Sequence, residues 1–175
     1  MPHANRDRAH QIRLCGGGDF HAMLTIINEA AIAYRGVIPD DRWHEPYMSA
    51  EELRDELETG VIFWGLETGG ELAGVMGIQA VRDVDLIRNA YVSPRHQRRG
   101  VGGALIGHLR ARSSAASGRL LVGTWADAVW AIDFYRRNGF ELVDRELTVE
   151  LLRTYWTIPD RQIETSVVLA SPPVK

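Results

Sequence analysis

The first sixty residues show hydrophobic spacing of two kinds. Gln11 to Leu14 predicts a short strand, and the apolar residues between Phe20 and Tyr34 recur on one helical face. Asp19 is placed to cap that helix, because its side chain can accept a hydrogen bond from a free backbone N–H. Ser49 and Glu52 form a capping-box pattern, which predicts a second, shorter helix. We therefore expect one strand and two helices before the main sheet begins.

The middle of the chain predicts a β-meander followed by a helix. Val61 to Glu67 and Glu71 to Val81 have strand patterns, and a glycine-containing turn joins them as a hairpin. The mostly apolar stretch Leu86 to Val92 predicts a third strand. Apolar residues recur at helical spacing from Val101 to Leu109, so a helix should follow that strand after a short loop.

The C-terminal third continues the alternation of strand and helix. Its predicted elements are a buried strand at Leu120 to Trp125, a helix from Ala128 to Asn138 capped by Asp127, an extended segment at Phe140 to Val143, a helical turn or two at Thr148 to Tyr155, and a last strand at Glu164 to Leu169. This order suits a mixed, mostly antiparallel sheet of six to seven strands with helices on both faces, an α/β (α+β) fold.

Length and composition favour one ordinary globular domain. The chain has 175 residues, of which 45% are hydrophobic and 25% are charged, and this is enough to bury a real core. The polar residues 1–10 have no apolar period, so we expect a disordered tail there and a single domain over residues 11–175.

Charge and cysteine content exclude several classes of protein. The net charge of -3 argues against a nucleic-acid partner, because such proteins need a broad basic surface. Cys15 is the only cysteine, and the histidines have no metal-ligand spacing, so we expect neither a disulfide nor a metal. We see no signal peptide and no apolar run of membrane length, so we expect a cytoplasmic protein without a membrane partner.

The loop after the third meander strand has the composition of an anion site. Its residues are Gln97, Arg98, Arg99, Gly100, Val101, Gly102 and Gly103. The first turn of a helix has unpaired N–H groups and the positive end of the helix dipole, and residues without a Cβ let a phosphate approach. A P-loop is excluded because Gly103-Ala104 does not supply the required lysine and hydroxyl pair. The alternative is a glycine-containing turn with solvated arginines.

Two motifs in order resemble those of the GNAT superfamily of acetyl-CoA-dependent N-acetyltransferases. The first is Val92-Ser93-Pro94 followed by Gln-x-x-Gly-x-Gly from Gln97 to Gly102. The second is Ala131-x-x-Phe134-Tyr135-x-x-x-Gly139-Phe140, about thirty residues later. The resemblance implies the GNAT fold, in which the central sheet is splayed in the middle, and it implies acetyl-CoA as co-substrate.

The resemblance also implies roles for individual residues. The loop from Gln97 to Gly103 would hold the pyrophosphate, and the backbone amides of Ala90, Tyr91 and Val92 would bind the pantetheine arm. Tyr135 would be the general acid that protonates the leaving thiolate, since a phenol is protonated at neutral pH. The alternative is that Tyr135 only packs its ring and hydrogen-bonds the cofactor.

The general base stays open at this point. The family often has a glutamate on the central strand, but the aligned residue here is Leu86, and its neighbour Asp85 faces the other way unless a bulge intervenes. His44, Glu45 and Asp83 are loop candidates, and a water chain is another. A further departure is Ala128, where the family commonly has an asparagine.

The acceptor is less defined than the cofactor. Arg88, on a central strand, could bind an acceptor carboxylate, or it could pair with Asp83 or Asp85. Trp125 and Trp43 could wall the acceptor pocket or pack in the core. The leading hypothesis is acetyl transfer to a primary amine of a small-molecule, amino-acid-like acceptor. The alternatives are a non-catalytic acyl-CoA sensor and a protein N-terminal or lysine acetyltransferase. A homodimer through the last strand is possible if that strand lies at an edge.

Overall fold

The computed structural model describes residues 10–174. The tail predicted to be disordered therefore lies almost wholly outside the described residues. The elements are β1 Gln11–Leu14, α1 Phe20–Ala31, α2 Ala50–Glu58, β2 Ile62–Thr68, β3 Glu71–Val81, β4 Val84–Val92, α3 Val101–Arg112, β5 Leu120–Trp125, α4 Val129–Arg137, β6 Glu141–Leu142, α5 Arg145–Tyr155, α6 Asp160–Glu164 and β7 Ser166–Ser171.

All seven strands belong to one sheet in the order β1-β2-β3-β4-β5-β7-β6. Every neighbouring pair is antiparallel except β4 and β5, which are parallel and are joined by α3. The predicted mixed, mostly antiparallel sheet is confirmed. The single parallel pair needs a crossover connection, and α3 supplies it.

Helices cover both faces of the sheet, as predicted. Leu120 and Val122 of β5 pack into the same buried cluster as α3 and α4, whereas Leu121 between them packs with α5 and α6 on the opposite face. Helices α1 and α2 cover β2 and β3 on that opposite face, where Phe63 and Val75 are buried. Strand alternation therefore sorts the apolar residues onto the two faces of the sheet.

Strands β4 and β5 pair over only three residues and then separate. The pairs run from Asp85 with Leu120 to Ile87 with Val122. The β3–β4 register shifts just beyond, and Asn89 has a left-handed backbone with φ 47°. Ile87 and Ala90 pack into the same core although they are three residues apart, so this bulge adds one residue to β4. The sheet is splayed in the middle.

The structure corrects two predicted helix caps. The Asp19 carboxylate does not cap α1, because it turns back to accept hydrogen bonds from the Gly16 amide at 2.8 Å and from Arg13 at 2.9 Å. Asp127 does not cap α4 either. Ala128 is fully buried and is the residue that precedes α4, so the helix begins one residue later than predicted.

The last strand differs from its prediction. Glu164 ends α6, which begins directly after Pro159, and the strand runs from Ser166 to Ser171. This strand, β7, lies between β5 and β6 rather than at an edge. The C-terminal strand therefore is not the outer strand that the expected dimer contact assumed, and the homodimer itself stays a prediction. None of the helices within residues 10–174 has both the length and the hydropathy of a membrane span.

Candidate active site

A cavity of about 1320 Å³ opens where β4 and β5 separate. It exceeds the roughly 300–1,000 Å³ that is typical of sites for drug-sized ligands. Its walls are the end of β4, the end of β5, the start of α3, one face of α4, residues of α1, α2 and the loop between them, and residues between α5 and the start of β7. Of the residues predicted to hold a cofactor, it brings together Ala90, Tyr91, Val92, Gln97, Arg98, Gly100, Val101, Gly102 and Gly103.

The start of α3 forms the anion-binding end of this cavity. Gly100 is left-handed, with φ 80°, and the first α3 hydrogen bond runs from the Ala104 amide to its carbonyl at 3.0 Å. The amides of residues 101–103 precede that bond and are available to a ligand. Gln97 fixes the loop, because its Nε2 donates to the Val92 carbonyl at 3.2 Å. Arg98 and Arg99 are both exposed, and of the two only Arg98 lines the cavity.

The glycines of α3 also have a packing role that their spacing did not reveal. A Cβ on Gly102 would lie 2.8 Å from Cζ of Phe134, and one on Gly103 would lie 3.1 Å from Oδ1 of Asn138. Both neighbours belong to α4 or its C-terminal end. These glycines let α3 and α4 pack closely, in addition to leaving the amides accessible.

Tyr135 is buried in α4 and faces the cavity. Its side chain is 6% exposed, and its ring makes edge contacts with Phe134 and Phe140 at centroid distances of 5.1 and 5.6 Å. Burial raises the pKa of its phenol far above the usual value near 10. Tyr135 is therefore a protonated hydrogen-bond donor throughout the ordinary pH range.

An aromatic cluster forms another wall, and sequence reasoning found only part of it. Tyr34 contacts Tyr47 at 5.7 Å and Tyr91 at 6.4 Å between ring centroids. Nε1 of Trp125 donates to the Tyr47 hydroxyl at 3.1 Å. Trp125 combines both roles considered for it, because it lines the cavity and is also buried in a cluster with Ile38 and Ala128. Burial raises the pKa of Tyr34 to about 12 and that of Tyr91 well above its usual value. No local pattern links these residues, which lie on different elements.

Trp43 does not line the cavity. It stacks on Tyr47 at 5.7 Å and packs behind it with Ile38, Trp125 and Ala128. Trp43 thus takes the core-packing role, which was the alternative to a pocket wall.

Arg88 lines the cavity, but its partners differ from the predicted ones. Its Nη2 lies 2.6 Å from Oε1 of Glu56 on α2, and its Nη1 donates to Oε1 of Gln79 at 2.8 Å. The predicted pairing with Asp83 or Asp85 is wrong. Asp83 accepts from the Tyr155 hydroxyl at 2.8 Å, and the Asp85 carboxylate bonds the segment after α3.

The general-base candidates differ in whether they line the cavity. Leu86 is fully buried in an apolar core, and Asp85 is engaged with the segment after α3. Glu45 pairs with Arg35 at 3.3 Å on the surface, away from the cavity wall. His44 lines the cavity, and its Nδ1 is hydrogen-bonded to the Pro46 carbonyl at 2.7 Å.

Three further carboxylates line the cavity. Asp41 belongs to the loop between α1 and α2, and Glu52 and Glu56, which sequence reasoning missed as site residues, lie on α2. Helix α2 carries five acidic residues among its nine, so its sequence gave no signal to distinguish these two. Among the described residues, no group of three His, Cys, Asp or Glu side chains is arranged to hold a metal ion.

Comparison with known proteins agrees with this geometry. Residues 59–142 match the family model described as an acetyltransferase (GNAT) domain. Comparison with curated proteins gives no match. The PaiA N-acetyltransferase of Thermoplasma acidophilum, solved in complex with coenzyme A, is 17% identical, with 93% of this chain and 98% of that one covered and a TM-score of 0.69.

Two other solved structures share the fold. A GNAT-family acetyltransferase from Staphylococcus aureus is 14% identical, covers 93% of this chain and 98% of its own, and has a TM-score of 0.68. A ribosomal-protein-alanine N-acetyltransferase from Brucella melitensis is 18% identical, covers 91% and 98%, and has a TM-score of 0.62. Residues 59–142 thus match an acetyltransferase (GNAT) domain, and the described part of the chain has the GNAT fold.

Proposed function

We propose that this protein transfers an acetyl group from acetyl-CoA to a primary amine of a small, amino-acid-like acceptor. One observation carries the proposal. A single cavity contains three features: the end of β4 beyond Ile87, which is unpaired on its β5 side, the free amides at the start of α3, and the protonated phenol of Tyr135. A pantetheine arm, a pyrophosphate and a leaving thiolate need these three features.

The residues present fit coenzyme A. Tyr91 and Val92 pair with β3 on one side, while β5 no longer pairs with this part of β4 on the other. The backbone of Ala90, Tyr91 and Val92 is thus free to bind an extended ligand as an added strand would. The amides of residues 101–103 and the side chain of Arg98 suit a diphosphate. PaiA, whose fold is shared, was solved with coenzyme A.

Acetyl-CoA supplies an acetyl group activated as a thioester. The neutral amine of the acceptor attacks it, so that a C–N bond forms and the C–S bond breaks. Tyr135 donates a proton to the departing sulfur, and its raised pKa ensures that this proton is present. The amine nitrogen loses one proton to water, and water reprotonates Tyr135. A backbone amide at the end of β4 stabilises the developing oxyanion.

The test combines binding with turnover. Calorimetry should detect coenzyme A binding by the purified chain, and thiol release from acetyl-CoA should depend on adding a primary amine from a panel. Mass spectrometry should find the amine heavier by one acetyl group. Binding without thiol release for any amine would instead identify a non-catalytic acyl-CoA sensor. Absence of coenzyme A binding would overturn the assignment of the cavity.

A further inference from the structure

Four residues that line the cavity have a buried polar atom without a hydrogen-bond partner among residues 10–174. The atoms are Nε of Arg42, Oε2 of Glu56, Nδ2 of Asn89 and Nδ1 of His96. Two of these residues are linked through Arg88, which pairs with Glu56 and directly precedes Asn89. Oε2 of Glu56 is an acceptor, and Nδ2 of Asn89 is a donor. Buried polar groups in proteins are almost always hydrogen-bonded. A complementary pair in a ligand-sized cavity therefore points to a ligand that supplies a donor and an acceptor.

Neighbouring hydrogen bonds hold the side chain of Glu56 in place. The other carboxylate oxygen of Glu56 is bound by Arg88 at 2.6 Å, and Arg88 is itself bound by Gln79 at 2.8 Å. This chain from β3 to α2 fixes the Glu56 side chain while leaving Oε2 unused. Such a supported group can orient a ligand, because its own rotamer is set by neighbouring hydrogen bonds.

Asn89 is placed by the bulge in β4. It follows Arg88 directly and has a left-handed backbone, which asparagine tolerates better than most residues. The bulge lies just past the last β4–β5 pair, at the point where the cavity opens. Bulges next to active sites often direct a side chain to a new position. Both polar groups therefore lie beside the same residue, Arg88, at the fork of the sheet.

We propose that Glu56 and Asn89 form the acceptor subsite of this enzyme and that it selects an amine adjacent to a carbonyl group. Oε2 of Glu56 accepts an N–H of the acceptor amine, and the Asn89 amide donates to the carbonyl oxygen. Arg88 positions Glu56 and is not the carboxylate-binding group. This inference rests on the proposed function and adds the class of substrate.

The experiment measures kcat and KM for matched acceptors by thiol release. Each set contains an α-amino amide, the free α-amino acid and the simple amine with the same side chain but no carbonyl. The variants are Glu56→Gln and Asn89→Gly, the latter because glycine keeps the left-handed backbone while removing the amide. Glu58→Gln is the control, since Glu58 is an exposed glutamate of the same helix outside the cavity wall.

The wild-type chain should prefer at least one carbonyl-bearing acceptor over its plain amine by about tenfold in kcat/KM, which one hydrogen bond supplies. Asn89→Gly should bring that ratio close to one. The compounds differ in basicity, but this difference cancels when the variant and the wild type are compared on the same compounds. Glu56→Gln should raise KM or lower kcat for all amines about tenfold or more, whereas Glu58→Gln should change neither. The Kd of coenzyme A should stay the same in every variant.

Two failures can be told apart. If the wild type turns over amines but has no carbonyl preference, or if Glu56→Gln keeps wild-type kinetics, the subsite is wrong while the proposed function stands. A Glu56→Gln chain that loses coenzyme A binding as well would assign Glu56 a folding role and also overturn the subsite. If wild type neither binds coenzyme A nor releases thiol, both proposals fall. Comparison of the free α-amino acid with the α-amino amide shows whether a carboxylate or an amide carbonyl is preferred.

Discussion

The carboxylate of Asp85 on β4 accepts a hydrogen bond from Oγ of Ser113 at 2.7 Å, and this contact ties the central strand to the end of α3. The same oxygen also accepts from the amides of Ser114 and Ala115 at 3.1 and 3.2 Å. Asp85 is 3% exposed and adjoins the start of the β4–β5 pairing. Its role is to hold α3 in register with the sheet.

Asp85→Asn should therefore reduce stability without reducing chemistry. Loss of the charge weakens three hydrogen bonds at a buried position, and we expect a loss of about 1.5–3 kcal/mol in the free energy of unfolding. Urea denaturation measures this change, with the exposed Asp55→Asn as a control that should shift it by less than about 0.5 kcal/mol. A folded Asp85→Asn chain that had lost turnover would reopen Asp85 as a candidate base.

Gly102→Ala should destabilise the chain and weaken coenzyme A binding. The new methyl would meet the Phe134 ring, so that α3 and α4 must move apart, at a cost of about 1–3 kcal/mol. Gly107 is the matched control, because it is exposed on the same helix and a Cβ there meets nothing within 4 Å. Gly107→Ala should raise stability by about 0.5–1 kcal/mol. Thermal denaturation measures the stability of both variants, and calorimetry measures their binding of coenzyme A.

Tyr135→Phe tests the proposed general acid. Removal of the hydroxyl should lower kcat about a hundredfold, the lower end of the usual contribution of acid catalysis, while the Kd of coenzyme A changes little. Tyr155→Phe removes a phenol that bonds Asp83 outside the cavity, and it should keep kcat. Because burial raises the Tyr135 pKa, wild-type activity should have no alkaline decline from this residue below about pH 10. Unchanged turnover in Tyr135→Phe would leave only its packing role.

Substitutions of the neighbouring residues Arg98 and Arg99 should differ in their effect on coenzyme A binding. Arg98 lines the cavity with a left-handed backbone of φ 58°, and Arg99 lies outside the cavity wall. Arg98→Gly preserves the backbone conformation and removes one charged donor, so the Kd of coenzyme A should rise about tenfold or more. Arg99→Gly should change it much less. Equal effects of the two substitutions in calorimetry would mean that only the general charge of the loop matters.

The ion pair between Asp19 and Arg13 should make a small part of the stability depend on acid pH. Hydrogen bonds from Arg13 and the Gly16 amide lower the Asp19 pKa from 3.8 to about 2. A depressed pKa means that the pair stabilises the fold fully above about pH 4 and that this contribution is lost as pH falls toward 2. The gain should not exceed about 1 kcal/mol, since the pair is partly exposed. In thermal denaturation between pH 6 and pH 2.5, Asp19→Asn should lose less stability than wild type.

The local patterns of the sequence predicted most elements of this fold. The hairpin of β2 and β3 and helices α1 to α4 have clear periodicity, and the loop before α3 combines a strand end with glycines and a helix start. Errors fell where tertiary contacts decide. Asp19 had the right residue type for a cap, but Arg13 and Gly16 draw its carboxylate away from α1. The place of β7 between β5 and β6 depends on long-range pairing that has no local signature.

The candidate site also has one part that local sequence patterns could predict and one part that depends on tertiary contacts. The proposed cofactor end could be predicted because its residues are contiguous, from Gln97 to Gly103, and would act through the backbone. The proposed acceptor end was predicted only in part: Arg88 and Trp125 were named, whereas Tyr34, Tyr47 and Glu56 lie on separate elements and meet only in the folded chain. The partner of Arg88 is 32 residues away on α2, and no charge spacing pointed to it.

The short pairing of β4 with β5 has one more consequence, which concerns other chains. A strand whose main-chain groups are unpaired invites addition of a foreign strand and, with it, aggregation. Here the stretch of β4 beyond Ile87 is unpaired on its β5 side and lines a cavity that the end of β5, the start of α3 and one face of α4 also line, so this free edge lies in the middle of the sheet. An edge that lies between two strands of its own sheet is less open to such pairing than the outer strands β1 and β6 are.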